Sequence, residues 1–327
     1  MAKITVLMAA YNAAPYLERS IGSLQRQTLT DMQVICIDDA STDDTPTLLD
    51  AYARKDSRIE VVHLTQNGGP AKARQAGLAR ATAPLIAFLD SDDWLSDDAL
   101  QQACTTFEAH EATGCVLFRL TMRDAEGRER PYPIDAFDVL PGKEAFTRSI
   151  DWQGIHGCGV FRREVYDRVQ TDHSNASFAD ENMTRLRLYY SDEVRPCAGI
   201  YYYCETPTSV TRRFSLHRFD VLRNNEHMAQ LMRRLDLPGE AIAKQENTRY
   251  LTLIDMYMRY HFQGHELTAD ERRKALDEMR RIWQGIDRSL LSPATTRKFG
   301  YAPMPSWHLF RLQEWAYFTL RSLLNRK

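Results

Sequence analysis

The chain has 327 residues, which allows one large domain with a smaller one or two domains of similar size. Hydrophobic residues make up 43% and charged residues 26%, so a disordered or fibrous protein is excluded. The net charge is −2, but the charges are unevenly distributed along the chain. Residues 211–327 are basic, with 21 Lys and Arg against 13 Asp and Glu. We expect no nucleic-acid partner, and a basic C-terminal piece with partners of its own.

The cysteines and the apolar runs indicate a cytoplasmic protein. The six cysteines form no CxxC pair, and none lies at zinc-finger spacing from a histidine, which predicts reduced thiols. The start of the chain lacks a signal-peptide pattern, and no run of about 18 apolar residues occurs. We therefore expect no membrane-spanning segment.

Four short apolar runs alternate with helical patterns over the first part of the chain. The runs have the composition of strands buried on both faces and span residues 4–10, 33–37, 59–64 and 85–89. Helices are expected to begin at Pro15, at Asp44 or Thr45, and at Ala71. This alternation predicts βαβ units and an α/β fold with a mostly parallel, Rossmann-like sheet flanked by helices.

A polar cluster follows each predicted strand: Tyr11-Asn12, Asp38-Asp39, Asn67-Gly68-Gly69 and Asp90-Ser91-Asp92-Asp93. In doubly wound sheets the ligand lies beyond the carboxyl ends of the strands. The four clusters are therefore expected to line one polar crevice.

The acidic cluster after the fourth strand predicts a metal site. Asp90 and Asp92 can reach one ion if the chain turns sharply, and carboxylate oxygens select Mg²⁺ or Mn²⁺. An ion held in this way leaves positions for substrate phosphates. The alternative is that these acids cap the helix that starts near Asp97 and Asp98.

The Asp38-Asp39 pair allows two interpretations of equal weight, one structural and one functional. It can consist of ordinary turn residues, or one carboxylate can accept hydrogen bonds from a base or a ribose. The chain contains neither a dinucleotide fingerprint nor a phosphate-binding GxxxxGK[ST] loop. A glycine turn at residues 67–69, followed by Arg74 on the next helix, nevertheless suits an anionic ligand.

Four blocks in this order resemble the family 2 glycosyltransferases of the GT-A fold: VLMAAYN (6–12) with LERSI (17–21) and SLQRQT (23–28), VICIDDASTD (34–43), NGGPAKARQAG (67–77) and FLDSDD (88–93). The match is dense over residues 4–95 and looser over residues 150–210. It implies a sugar-nucleotide donor, an Mn²⁺ or Mg²⁺ ion and transfer with inversion.

The resemblance also implies a donor site formed by Ala9, Tyr11, Glu18, Asp39, Asn67, Arg74, Asp90, Ser91 and Asp92. In this set the first three residues would line the nucleoside pocket. Asp39 would bind the base, most often uracil, and Arg74 would lie near the donor. Asp92 would be the principal metal ligand, and Asp90 would approach the sugar or ribose and contribute to the metal site.

The general base is expected in an acidic pair before a helix, at Asp180 or Glu181. The downstream Leu-Arg-Leu register of the family selects Glu181, whereas residue type selects Asp180. A helix cap is the structural alternative for both. Trp152 and His156 resemble the acceptor-side segment, although a buried tryptophan and a core histidine account for them equally well.

The C-terminal part is predicted to be helical, giving a GT-A domain over residues 1–215 and a basic helical extension over residues 216–327. Arg212 and Arg213, just before it, either close over the diphosphate or are solvated. Residues 307–327 combine five aromatic residues with a basic end, which suits peripheral contact with the inner face of the plasma membrane. Packing on other helices, or on a second copy as a homodimer, is the alternative.

The resemblance thus implies a metal-dependent, hexosyltransferase-type enzyme that transfers a sugar from a UDP-sugar to a glycan or lipid-linked acceptor in polysaccharide synthesis. Two other classes stay open. A non-catalytic sugar-nucleotide-binding protein would need no base. A Mg²⁺-dependent phosphohydrolase with an Asp-x-Asp motif would need Thr or Val where this chain has Trp94.

Overall fold

A computed structural model describes residues 2–134, 136–150, 155–169, 179–205, 214–298 and 300–324, without the side chains of Ala179 and Asp180. It separates into two compact units. The first contains Met1–His173 and Met183–Ser209, and the second contains Ser174–Asn182 and Val210–Lys327.

Within the described residues, ten strands form one sheet in the first unit. They are β1 Ile4–Ala10, β2 Met32–Asp38, β3 Ile59–His63, β4 Leu85–Phe88, β5 Trp94–Leu95, β6 Thr113–Arg123, β7 Glu129–Pro131, β8 Leu140–Pro141, β9 Gly159–Arg162 and β10 Glu193–Cys204. The helices up to residue 190 are α1 Leu17–Gln25, α2 Thr45–Lys55, α3 Pro70–Leu78, α4 Ala99–Ala109, α5 Gly142–Arg148, α6 Arg163–Arg168 and α7 Ala179–Tyr190.

The sheet has the order β3-β2-β1-β4-β9-β6-β10-β5, with β7 paired to β6 and β8 paired to β10. The first four strands are parallel, as predicted, and β1 lies between β2 and β4. The chain after residue 90 adds a further parallel pair, β6 with β10, and antiparallel pairs such as β4 with β9 and β9 with β6. The parallel half therefore presents its strand ends at one side of the sheet.

Helices cover both faces of the sheet, because successive side chains of a strand point to opposite faces. Val6 and Met8 belong to one core with residues of α1 and α4, whereas Leu7 belongs to another with residues of α3 and α7. All three side chains are fully buried, which explains the uninterrupted apolar runs in the sequence. At Gly77 a Cβ would lie 2.6 Å from the side chain of Ile37, so α3 packs closely against the sheet only with glycine there.

The helices of the parallel half begin close to the predicted points. α2 carries a proline in its first turn, and α3 begins at Pro70, where a missing backbone N–H costs nothing. α1 begins at Leu17, two residues after Pro15. The helix expected near Asp97 and Asp98 is α4.

The second unit is helical, as the sequence predicted for this region. Its helices are α8 Asp220–Arg234, α9 Gly239–Gln263, α10 Ala269–Gln284, α11 Pro293–Thr296 and α12 Trp307–Leu324, with 3₁₀ turns at Leu216–Phe219, Gly264–Glu266 and Arg288–Leu290. An apolar core that includes Leu253, Met279 and Phe310 holds these helices together. Among the described helices, none has the length and apolar content that crossing a bilayer requires.

Candidate functional site

The strand order brings the predicted polar clusters to one side of the sheet. Asp39 follows β2 and Asp90 follows β4, and these two strands flank β1 in parallel. Ala10, the last residue of β1, accepts a hydrogen bond from the backbone N–H of Asp39 at 2.9 Å. The clusters after β1, β2 and β4 are thus neighbours at the carboxyl ends of adjacent strands.

The loops after β1 and β2 are joined by side chains. The backbone N–H of Asn12 donates to Ser41 Oγ at 3.0 Å, and Asn12 Oδ1 accepts from the backbone N–H of Thr42 at 2.8 Å. Asn12 and Ala40 adopt left-handed backbone conformations, with φ of 51° and 58°. Such conformations are uncommon away from glycine, and the surrounding hydrogen bonds hold them.

The carboxylate of Asp39 fixes the glycine turn before α3. The side chain is buried, and Oδ1 and Oδ2 accept hydrogen bonds from the backbone N–H groups of Gly68 and Gly69, each at 2.8 Å. Asn67, which is exposed, donates from Nδ2 to the backbone oxygen of Asp39 at 3.3 Å. Gly69 has φ +81°, a conformation that favours glycine. Asp39 therefore connects the end of β2 to the start of α3.

Arg74 of α3 binds the acidic turn after β4. Its guanidinium donates to Asp90 Oδ1 at 2.5 Å and lies 5.1 Å from the ring centre of Phe88. Arg187 of α7 also lies over Phe88, at 5.3 Å, and over Tyr166, at 4.2 Å. The carboxylate of Asp90 is 46% exposed, so it stays open to solvent while it is paired with Arg74.

Asp93 points into the protein. Its carboxylate is almost fully buried, accepting hydrogen bonds from the Tyr201 hydroxyl and from the backbone N–H of Cys204, each at 2.7 Å. Burial, and then the charges of Asp90 and Asp92, raise the pKa of Asp93 well above its usual value. The sequence placed Asp93 with Asp90 and Asp92 in the cluster expected to line the crevice. That placement is corrected, because Asp93 supports the turn from inside.

Arg19 of α1 holds the same turn from another side. Its guanidinium donates to the backbone oxygen of Asp92 at 2.8 Å and lies 4.2 Å from the ring centre of Trp94. Tyr202 stacks on Trp94, with ring centres 5.0 Å apart and planes 5° apart. Asp90, Ser91 and Asp92 are partly exposed in a turn whose backbone is held by buried groups.

The remaining predicted donor residues line the loops at the end of β1. Tyr11 is 51% exposed, Glu18 is exposed in the first turn of α1, and Ala9 is partly buried at the end of β1. These placements leave the aromatic ring of Tyr11 and the carboxylate of Glu18 accessible to a ligand. Their roles in binding a nucleoside stay predictions.

The acceptor-side predictions are described only in part. Asp180 and Glu181 lie at the start of α7, where the side chain of Glu181 is partly exposed and that of Asp180 is outside the described residues. Trp152, Arg212 and Arg213 are also outside them. His156 is described, and burial lowers its pKa to about 4, so its imidazole is neutral at physiological pH.

The acidic turn fits a divalent ion held by few protein ligands. Within the described ranges no group of three or more His, Cys, Asp or Glu side chains converges as a metal cage. Asp90 and Asp92 supply hard carboxylate oxygens that are partly open to solvent. Mg²⁺ is usually held by one or two carboxylates and completes its shell with water and substrate phosphates, so this donor set fits Mg²⁺ and equally Mn²⁺.

Comparison with known proteins identifies the family. The family described as "Glycosyl transferase family 2" matches residues 5–170 of the chain. The succinoglycan biosynthesis protein ExoO of Rhizobium meliloti is 39% identical over 288 residues, which span 81% of this chain and 80% of ExoO. The chain belongs to glycosyltransferase family 2.

Other similar proteins match a smaller share of their own length or are more distant in sequence. The uncharacterized glycosyltransferase EpsJ of Bacillus subtilis is 28% identical over 222 residues, which span 64% of this chain and 62% of EpsJ. The crystal structure of Staphylococcus aureus TarS 1-349 in complex with UDP-GlcNAc has a TM-score of 0.71 at 18% identity, covering 97% of this chain and 92% of that one. The GT-A-like α/β fold with a helical C-terminal region is thereby confirmed.

Sequence reasoning missed two residues that organise this family 2 site, Arg19 and Tyr201, and placed Asp93 in the crevice rather than inside the protein. Asp93 directly precedes Trp94 and Leu95, the two residues of β5, and that position alone does not predict its burial. Tyr201 carried no signal, since it lies 108 positions further along the chain and meets Asp93 only through the pairing of β10 with β5.

Proposed function

We propose that this chain is an inverting glycosyltransferase that moves a sugar from a UDP-sugar to a glycan or lipid-linked acceptor in the synthesis of a surface polysaccharide. One observation carries the proposal. In a family 2 chain, the acidic turn Asp90–Asp92 lies beyond the parallel strands. The carboxylate of Asp90 binds Arg74, and its backbone N–H donates to the Tyr201 hydroxyl. That arrangement supports a site for a metal ion and a diphosphate at this turn.

The donor side of the proposal rests on the loops at the ends of β1, β2 and β4. The turn that Asp39 fixes precedes a nine-residue helix, whose N-terminal end favours negative charge, and Arg74 adds a guanidinium. Tyr11 and Glu18 would border the nucleoside, with Ala9 leaving room for it, and Asn67 and Ser91 would line the crevice. A TarS crystal structure contains UDP-GlcNAc, which supports a uridine diphosphate donor here.

Asp92, with Asp90 beside it, would hold the Mn²⁺ or Mg²⁺ ion. When bound, the ion would offset the negative charge that develops on the departing nucleoside diphosphate. Arg19 keeps the backbone of Asp92 in place, and Arg74 keeps the carboxylate of Asp90 in place, so little reorganisation is needed on binding.

The acceptor hydroxyl must lose a proton as it attacks the anomeric carbon, and Asp180 or Glu181 would accept that proton as general base. Both lie at the start of α7, where a carboxylate is also favoured by the helix dipole. The same helix carries Arg187, which packs against Phe88 next to the acidic turn. The variants described below distinguish Asp180 from Glu181 as the general base.

The test measures release of nucleoside diphosphate from a panel of nucleotide sugars, with Mn²⁺, with Mg²⁺ and with EDTA. Release of UDP with a divalent ion, together with a glycosylated acceptor, supports the proposal. Binding without turnover would indicate a sugar-nucleotide-binding protein, and phosphate release from monoesters would indicate a hydrolase. Either of those outcomes contradicts it.

Variants assign the roles. We expect Asp92→Asn to abolish metal-dependent UDP binding in calorimetry, whereas Asp97→Asn, an exposed acid five residues away, leaves it intact. Asp180→Asn and Glu181→Gln should both retain donor binding, and one of them should lose transfer. If Asp92→Asn binds UDP and metal as the parent does, the metal assignment is wrong. If both α7 variants stay active, the base lies elsewhere.

A further inference from the structure

Helix α12 has an apolar face that is open to solvent. At 100° per residue, its exposed apolar side chains fall on one half of the helix. They are between 45% and 73% exposed and comprise Leu309, Leu312, Trp315, Leu320, Leu323 and Leu324. The opposite half carries Trp307, Phe310 and Phe318, which are buried in the core of the second unit.

A neighbouring helix also has an exposed aromatic residue near α12. Phe262, at the end of α9, is 45% exposed, and its ring centre lies 6.3 Å from that of Phe318. We call the exposed apolar residues of α12 the α12 face. Contiguous apolar surfaces of this kind mark interaction sites, because a soluble protein gains nothing by hydrating them.

The C-terminal part of the sequence that includes α12 is basic. The last 40 residues, 288–327, contain seven Lys and Arg and a single acid, Glu314. The side chain of Glu314 is buried, so it contributes no acidic group to the surface. Arg321 is exposed on α12 itself, next to the apolar half. A partner that offers an apolar layer and negative charge together would match both the exposed leucines and the basic residues.

We propose that the α12 face binds the surface of an anionic phospholipid bilayer, with the helix lying in the plane of the interface. The leucines would enter the boundary between headgroups and acyl chains, Trp315 would lie at headgroup depth, and the basic residues would meet anionic headgroups. The described part of α12 is not both long and apolar enough to cross the bilayer. A second copy of the chain fits less well, because it would bring two basic surfaces together.

This contact would place the chain where a lipid-linked acceptor is found, but it does not depend on the proposed transferase chemistry. Binding to vesicles requires neither donor nor metal. A failed transferase assay would therefore leave the membrane result standing, and a failed vesicle assay would leave the transferase result standing.

The test is flotation of the full chain with vesicles of phosphatidylcholine alone or of phosphatidylcholine mixed with phosphatidylglycerol. We expect binding to the mixed vesicles and its reduction by high salt, because exposed charges are screened. The double variant L312E/W315E should bind roughly tenfold or more weakly, since each side chain loses its apolar burial. The control Val139→Glu alters a similarly exposed apolar residue in the first unit and should bind as the parent does.

Thermal melting and UDP binding show whether the double variant is folded, and both measurements should match the parent. No binding to anionic vesicles, or equal binding by the parent and the double variant, overturns the proposal. Sedimentation gives a further decisive outcome. A dimer of the parent that L312E/W315E dissociates, without loss of vesicle binding, would assign the α12 face to a second copy.

Discussion

The hydroxyl of Tyr201 donates a hydrogen bond to the carboxylate of Asp93 at 2.7 Å. The same oxygen accepts a hydrogen bond from the backbone N–H of Asp90 at 3.2 Å. An interior side chain of β10 thus fixes both ends of the four-residue turn that carries Asp92. Because polar groups in a dry environment are costly to leave unpaired, this turn has one favoured conformation.

Tyr201→Phe removes both hydrogen bonds and leaves the ring in place. We expect the free energy of unfolding to fall by about 1–3 kcal/mol, because a buried carboxyl group and a backbone N–H lose their partner. Metal-dependent UDP binding should weaken as well, since the turn that bears Asp92 is less ordered. Urea denaturation and calorimetry measure the two effects.

Tyr202→Phe is the matched control for this prediction. Tyr202 is the next residue of β10 and stacks on Trp94 through its ring, which phenylalanine preserves. We expect little change in stability or in UDP binding. Equal effects of the two substitutions would show that the Tyr201 hydroxyl does not position the turn.

The carboxylate of Asp39 gives a second prediction. Each of its two oxygens accepts from a glycine N–H, so Asp39→Asn replaces one acceptor with an NH₂ group that faces a donor. We expect a loss of about 1–3 kcal/mol in the free energy of unfolding, together with weaker nucleotide binding as the turn at residues 67–69 opens.

Asp44→Asn is the control for Asp39→Asn. It also removes one negative charge from the loop after β2, but it breaks no hydrogen bond to a glycine N–H. Asp44 is exposed and precedes α2, where its side chain caps no backbone N–H. Urea denaturation of both variants should show a loss for Asp39→Asn alone. If Asp39→Asn unfolds like the parent, the two glycine contacts contribute nothing to stability.

The sequence predicted the parallel half of the fold because its signals are local. Each apolar strand runs directly into a polar cluster, and parallel strands place such clusters on one side of the sheet. Residue type and position along the chain therefore sufficed to predict that Asp39, Arg74 and Asp90 lie at the same edge of the sheet. The antiparallel strands that β9 and β5 add were not foreseen, since their pairing depends on residues far apart in the chain.

The internal support of the site could not be derived in the same way. Asp93 and Asp92 are adjacent acids with the same local signals, and only the pairing of β5 with β10 decides that Asp93 is the buried one. Arg19 was visible as a charged residue of α1, but its contact with the backbone oxygen of Asp92 spans 73 positions. Long-range contacts of this kind leave no periodic pattern in the sequence.

His63 gives a prediction about pH. Its Nδ1 lies 3.1 Å from Asp38 Oδ2 and its Nε2 lies 3.0 Å from Asp50 Oδ1, and these hydrogen bonds, first that to Asp38, raise the pKa of His63. A raised pKa means that the folded state binds the proton more tightly. The stabilisation is therefore complete below the ordinary histidine pKa and is lost as pH rises through the raised one.

The effect should be small, below about 1 kcal/mol, because the His63 side chain is 41% exposed and its charge is screened. Urea denaturation of the parent and of His63→Gln, from mildly acidic to alkaline pH, should show a stability difference only at the acidic end. His110→Gln, at an exposed histidine, should show no such difference. A difference that is constant with pH would mean that the ion pairs are not its source.

The second unit contains a buried acid whose titration also lowers stability as pH rises. Glu314 is fully buried, and Oε1 accepts a hydrogen bond from Gln313 at 3.2 Å. Within the described part of the chain, Oε2 has no hydrogen-bond partner. Burial raises the pKa of Glu314 from its usual 4.5 to about 7.

Glu314→Gln should therefore stabilise the protein at alkaline pH. The folded state holds the Glu314 proton more tightly than the unfolded state, so stability falls as pH rises from about 4.5 to about 7 and stays low above that. Glutamine cannot ionise, and we expect a gain of about 1–3 kcal/mol at pH 8 that vanishes toward pH 5. Thermal melts of Glu314→Gln beside Glu266→Gln, an exposed control, measure it. A gain of equal size at both pH values would contradict the titration of Glu314.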